Sequence, residues 1–275
     1  MAANLEPVHA GLHSHSSGRV SVWCASWRFV RMLVHALRGI ATVLWRFPSL
    51  TQAERQQRVN QWAQGMVART GMRLEVIGQP IAQGPALLVS NHISWLDIPV
   101  LHASRFCRFV SKDEVRNWPL IGRLADAAQT LYITRSSLRD TQRMVQTMAE
   151  SLRHGDVVAV FPEGTTSHGL GLLPFHANLL QAAIEADAPI QPVALRFVIE
   201  PGGQMTTAPS FVGEDHLLTS IWRTLRTKGL VVQVHFGVPQ YAQGRDRRTW
   251  CADLQAQVQA LRESDSNACP QPTPL

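Results

Sequence analysis

The sequence predicts an α/β fold: a mixed, largely buried β-sheet flanked by helices and preceded by an N-terminal amphipathic helical hairpin. Three observations carry this expectation. From residue 72 onward, short apolar runs alternate with amphipathic stretches, the pattern of strands and the helices that cover them. Runs such as 86–90 and 157–161 are apolar at consecutive positions, so both of their faces should be buried. Ahead of residue 72 the apolar period is that of two long helices.

Taken in order, residues 1–20 are polar and rich in His and Ser, and read as a disordered leader without the apolar stretch of a signal peptide. His13 and His15 alone make no metal site. A helix should follow over 23–45. On a wheel, Arg28, Arg31, His35, Arg38 and Arg46 fall within roughly an 80° arc. Phe29, Met32, Leu33, Leu37, Ile40 and Val43 take the rest, with Trp27 and Trp45 flanking the basic arc. The arginines rule out a membrane span, which needs ~18 or more uncharged apolar residues. The wide apolar face instead describes a helix lying in the membrane interface; a core helix with solvated arginines is the plainer alternative. A more polar helix over 51–70 completes a membrane-docking hairpin at 21–70.

The main domain is expected over 71–245. Strands should occupy 73–77, 86–90, 108–111, 130–134, 157–161, 190–198 and 230–236. Helices should occupy 96–104, 119–128, 138–154, 176–186 and 214–227. A last helix over 247–263 precedes a loose tail, together forming the segment 246–275.

The charge of +6 comes almost entirely from arginine, since Lys112 and Lys228 are the only lysines. It favours anionic partners: lipid headgroups, phosphorylated substrates or nucleic acid. No nucleic-acid motif accompanies it, and the arginines concentrate on an apolar helix, so no nucleic-acid partner is expected. Four scattered cysteines lack metal-ligand spacing, which argues against a disulfide framework or a zinc site and for a reducing compartment.

Three segments carry chemistry. Asn91-His92-Ile93-Ser94-Trp95-Leu96-Asp97 follows a buried strand, where α/β sheets place reactive groups. With His92 in the turn and Asp97 in the first helical turn, the carboxylate can reach back, fix the imidazole tautomer and leave the other nitrogen as a general base. Alone, this spacing fits a structural pairing more readily than a catalytic one. Phe161-Pro162-Glu163-Gly164-Thr165-Thr166 ends another strand; its glycine allows close backbone approach, and its carboxylate, amides and hydroxyls could hold polyol or phosphate groups. An ordinary strand-to-turn junction would look the same. Lys112 and Arg135 end two further strands, and parallel strands would bring both cations to one edge.

Together these segments resemble the glycerophospholipid (lysophosphatidate-type) acyltransferase family. Asn91, His92 and Asp97 match its N-H-x4-D motif; Leu131-Tyr132-Ile133-Thr134-Arg135 is similar to its aromatic–Ile–x–Arg motif; Phe161–Thr165 matches F-P-E-G-T; Pro189–Leu195 is similar to its apolar strand with a central proline, Pro192. The resemblance covers about residues 25–240. It implies acyl transfer from acyl-CoA or acyl carrier protein to the free hydroxyl of a lysophospholipid, with His92 as general base and Asp97 orienting it. It further implies acceptor binding by Lys112, Arg135, Glu163, Gly164, Thr165 and Thr166, and a donor side shaped by Pro192. No cofactor, metal or covalent intermediate is implied; the chain has no G-x-S-x-G elbow, so Ser94 needs no nucleophilic role. Membrane lipid would be a partner, with monotopic attachment to the cytoplasmic face of the inner membrane. Two departures bear on the acceptor. Thr166 stands where relatives using lysophosphatidate usually have arginine, and Thr134 where aspartate is usual. Relatives acylating lyso-ornithine lipid often carry threonine at the first position. Lysophosphatidate is the first expectation, lyso-ornithine lipid the second, and a non-catalytic lipid-binding protein the third.

Overall fold

The computed structural model describes residues 18–133 and 138–264. Two helices, α1 (Val22–Trp45) and α2 (Gln52–Thr70), lead into β1 (Arg73–Ile77), β2 (Ala86–Ser90), α3 (Asp97–Ser104), β3 (Arg108–Lys112), α4 (Ile121–Ala127) and β4 (Leu131–Ile133). Then come α5 (Leu138–Arg153), β5 (Val157–Val160), α6 (Gln181–Glu185), β6 (Ile190–Ile199), β7 (Gln204–Met205), α7 (Leu217–Arg226), β8 (Leu230–Phe236) and α8 (Arg247–Glu263). The strands form one sheet in the order β1-β8-β6-β2-β5-β3-β4, with β7 paired to β6. The sheet is mixed: β6 runs parallel to β2 and antiparallel to β8, while β2, β5, β3 and β4 are mutually parallel.

Side chains alternate across each strand, so a strand buried on both sides feeds two cores. On one face, Ala86 and Leu88 of β2 pack with Ala63 and Val67 of α2 and Val100 and Leu101 of α3. On the other, Leu87 and Val89 pack with Met148 and Leu152 of α5 and Trp250 and Leu254 of α8. Each buried leucine contributes about 2 kcal/mol, and the central strand β2, buried at all five positions, is thereby held fixed. The last helix is part of this core, with Trp250 fully buried.

The hairpin closes through small residues and two reciprocal hydrogen bonds. A Cβ at Gly39 would lie 2.3 Å from Trp62 Nε1, so only glycine admits that ring. His35 Nε2 donates to the Trp62 carbonyl at 2.8 Å, and Trp62 Nε1 donates to the His35 carbonyl at 3.2 Å. A capping box between Thr51 and Glu54 starts α2. One side of α1 (Ala25, Met32) packs on Met66 of α2 and on Ile221 and Leu225 of α7. The other side leaves Trp23 86% and Trp45 81% exposed, together with Trp27, Val30, Val34 and Leu37.

Some expectations need correction. The basic arc is not uniformly solvated: Arg28 turns inward and donates to the carbonyls of Leu225 and Thr227 at the end of α7, at 2.9 and 3.4 Å. Gly18 and Val20, within the segment expected as a leader, are bonded at the end of α7: Val20 N donates to Arg226 O and Lys228 N to Gly18 O, each at 2.9 Å. The helix expected over 176–186 is a 3₁₀ turn (Ala177–Leu180) followed by the short α6. Among the described residues, no helix is long and apolar enough to cross a membrane.

Candidate active site at the parallel strand ends

The C-terminal ends of β2, β5, β3 and β4 share one edge of the sheet. Asn91 fixes the end of β2: its amide donates to Leu195 O at 3.1 Å and its oxygen accepts from Leu195 N at 2.7 Å, clamping β2 to β6. His92 follows in the turn. Its Nδ1 lies 2.7 Å from Asp97 Oδ2, and its side chain is 21% exposed while that of Asp97 is wholly buried. The same Oδ2 accepts from Ile93 N at 2.6 Å and Ser94 N at 2.8 Å. Three donors on one oxygen at the start of α3 hold that side chain in a single position. An acceptor at Nδ1 places the ring proton there, and Nε2 keeps the lone pair that can take a proton.

The strand-end motif of β5 supplies the rest. Phe161 stacks on the His92 ring, centroids 4.0 Å apart and planes 7° apart, and stacks in turn on Phe109. Glu163 is buried, and its oxygens accept from His92 N at 2.8 Å and Leu173 N at 2.9 Å. Burial pushes its carboxyl above the usual range, opposed by those two backbone hydrogen bonds. Both its oxygens are thus engaged with the chain itself, and the carboxylate sets the position of His92 from behind. Gly164 has φ +72°, the left-handed turn that glycine favours. Thr165 is exposed, whereas the Thr166 hydroxyl donates to Phe211 O. Ser167 N donates to His92 O at 2.8 Å, so the loop after the motif folds over the histidine. Ser94 donates its buried hydroxyl to Pro209 O at 2.6 Å.

Lys112 is exposed at the end of β3. The registers Val89↔Val160 and Phe109↔Ala159 put it level with residue 162, two strands from β2 and about 10 Å away by strand spacing. Thr134 and Arg135 lie outside the described residues. Pro192 is buried in β6 with its ring against Gly237, so any influence on a donor passes through the strand.

One residue escaped the sequence reading. Arg262, in the last turn of α8 and 3% exposed, donates to Gly169 O at 2.5 Å and to Gln259 Oε1 at 2.9 Å. Its charge also acts on Glu163. Gly169 packs so closely on Ile93 that a Cβ would lie 2.9 Å from Ile93 Cδ1. Arg262 therefore holds the loop that covers His92. Only its place in a last helical turn marks it in the sequence, and that is common to many surface arginines.

The family described as Acyltransferase matches residues 73–196. A 1-acyl-sn-glycerol-3-phosphate acyltransferase of Neisseria meningitidis serogroup B is 36% identical over 216 residues, covering 78% of this chain and 84% of that protein. A lyso-ornithine lipid O-acyltransferase of Pseudomonas aeruginosa is 37% identical over 238 residues, covering 84% and 89%. Among solved structures, the 1-acyl-sn-glycerophosphate acyltransferase PlsC of Thermotoga maritima shares the fold, with a TM-score of 0.60 at 20% identity over 87% of this chain and 99% of that one.

Proposed function

The chain belongs to the acyltransferase family of 1-acyl-sn-glycerol-3-phosphate and lyso-ornithine lipid acyltransferases, and from that premise we propose that it acylates 1-acyl-sn-glycerol-3-phosphate to phosphatidate, with His92 as general base. Transfer of an acyl group to a lysolipid is the family's reaction; the donor, acceptor and residue roles are this proposal. His92 Nε2 takes the proton of the acceptor hydroxyl as its oxygen attacks the thioester carbonyl of acyl-CoA or acyl carrier protein. The C–O bond forms and the C–S bond breaks. The departing thiolate takes the proton back from the imidazolium, which Asp97 stabilises meanwhile. Lys112 and Arg135 serve the acceptor phosphate, with Thr165 on the exposed side of the turn. The observation that carries the reading is the Nδ1–Oδ2 contact of 2.7 Å, with Oδ2 fixed by two further backbone donors.

The lyso-ornithine lipid reading has its own support. Thr166 supplies no cation, and the Pseudomonas relative matches over the longer stretch. That acceptor has no phosphate for Lys112 and Arg135 to meet, which keeps lysophosphatidate first. The exposed tryptophans and aliphatics of α1 support monotopic docking on the cytoplasmic face of the inner membrane. Labelled acyl donor offered to lysophosphatidate and lyso-ornithine lipid in parallel tests the acceptor. Phosphatidate should form faster, and His92→Ala should slow it by about a thousandfold or more. Faster lyso-ornithine acylation would reverse the order of acceptors; near-full activity of the alanine variant would remove His92 as base, and no turnover on either lipid would favour a non-catalytic binder.

A further inference from the structure

Between α1 and α2 lies a half-open pocket of about 190 Å³, space for roughly a dozen water-sized groups at the ~10–15 Å³ each needs. Four basic side chains line it: Arg31, His35 and Arg38 from α1, and Arg69 from the last turn of α2. No carboxylate lines it. The Arg31 and Arg38 side chains make no hydrogen bond or ion pair among the described residues, and Arg69 gives one Nη1 to Gly65 O. Some other arginines on this molecule are matched, as Arg73 is with Glu75, Arg223 with Asp215 and Arg245 with Asp253. Burial and the neighbouring charges of Arg69 and Arg38 push the His35 imidazole below its usual pKa. The convergence is built in, because a Cβ at Gly65 would lie 2.8 Å from His35 and 2.9 Å from Arg69.

Like charges held together without a counter-ion call for an external anion. The adjoining apolar stripe says which kind. It is made by Trp27, Val30 and Val34, exposed on α1. A ligand here must present a negative charge directly beside hydrocarbon.

We propose that this pocket is a second lipid site, distinct from the acyl-transfer site, which takes the phosphate of an anionic phospholipid headgroup. Arg38 and Arg69 hold the phosphate, Arg31 and His35 flank it, and Trp27 lies against the glycerol and upper acyl chain. Docking then depends on lipid charge at a defined point, which fixes how α1 sits on the surface. The proposal rests on the membrane docking of α1 proposed above.

The full chain is titrated with phosphatidylcholine vesicles, with and without roughly 30 mole per cent phosphatidylglycerol. Wild type should bind the anionic vesicles about tenfold more tightly or better. Arg38→Gln with Arg69→Gln should abolish most of that preference. Arg46→Gln with Arg58→Gln, an equal charge change at exposed positions of the same hairpin, should cost about threefold at most. Equal losses in the two double variants would mean diffuse attraction and would overturn the site. Full displacement by free glycerol 3-phosphate would make it a site for soluble phosphates and would overturn it too. Equal binding to both vesicles sinks the headgroup site alone, whereas binding to neither sinks the docking of α1 and this site with it. Circular dichroism of each variant establishes that it is folded, and Arg38→Lys with Arg69→Lys should keep an intermediate preference.

Discussion

The strand-end site and the N-terminal helix distribute polarity in opposite ways. Around His92, buried polar atoms are mostly answered: Asp97 Oδ2 has three donors, Glu163 has two, and Asn91 both gives and accepts, while Asp97 Oδ1 and Trp95 Nε1 have no partner among the described residues. Along α1, apolar side chains face outward and Arg31 and Arg38 are unanswered among the described residues. A region that satisfies itself keeps its geometry with nothing bound, as pre-organised acid–base chemistry requires. A region left incomplete gains its partners from outside, and here those partners must be both apolar and anionic. The site should therefore lose function when an internal partner is removed. The helix should lose function when the side chains it offers to an outside partner, or that partner, are removed.

The largest expected effect follows from Asp97. In Asp97→Asn a neutral amide oxygen accepts more weakly than a carboxylate oxygen, and the imidazolium formed at His92 loses its counter-charge. Turnover should fall about a thousandfold or more, while binding to anionic vesicles stays within about twofold. A variant that fails to bind vesicles would show that the two regions do not keep separate accounts.

Arg262 offers a smaller and sharper test. It touches no reacting atom and acts through Gly169 and the loop over His92. Arg262→Met preserves much of the buried volume and deletes a buried hydrogen bond from a charged donor, commonly a loss of about 1.5–3 kcal/mol. If that loss falls on the position of His92, kcat should drop about tenfold with KM for the donor little changed. Arg262→Lys should restore part of kcat. A change in KM alone, or no rescue, would make Arg262 a structural residue of the α8 core.

The difference between the regions also sets what the sequence could reveal. Largely apolar runs locate β2 and β8 to the residue, because burial on both faces leaves little else for them to be. Two-residue β7 carries no period and was invisible. The His92–Asp97 contact was legible because both partners sit on one local turn. The direction of Glu163 was not: its partners, His92 N and Leu173 N, depend on the β2–β5 register and on a loop fold. On α1 the wheel gave the wide apolar face, but it could not know that α7 would draw Arg28 inward. Nor could it place Arg69 beside Arg38, since that takes two helices closing through Gly39 and Gly65.

The smallest expected effect concerns the joint between the two regions. His102 lies on α3, the helix that Asp97 begins, and its carbonyl accepts from Asn60 of α2 at 2.7 Å. Its ring is buried against Phe106 and Phe109, and burial lowers its pKa from 6.5 to about 4. The unfolded chain thus binds this proton near pH 6.5 and the folded chain only near pH 4. Stability is fully present above the first value and drains away as pH falls towards the second, by about 2 kcal/mol between pH 7 and pH 5. Urea unfolding of wild type and His102→Leu at both pH values should show a smaller loss in the variant. Because α3 ties the site to the hairpin, near-ultraviolet dichroism and vesicle binding should decline together on acidification of wild type. Vesicle binding that outlasts the packed core would mean that α1 and α2 fold and dock as a unit of their own, and the contrast between the regions would then extend from polarity to stability.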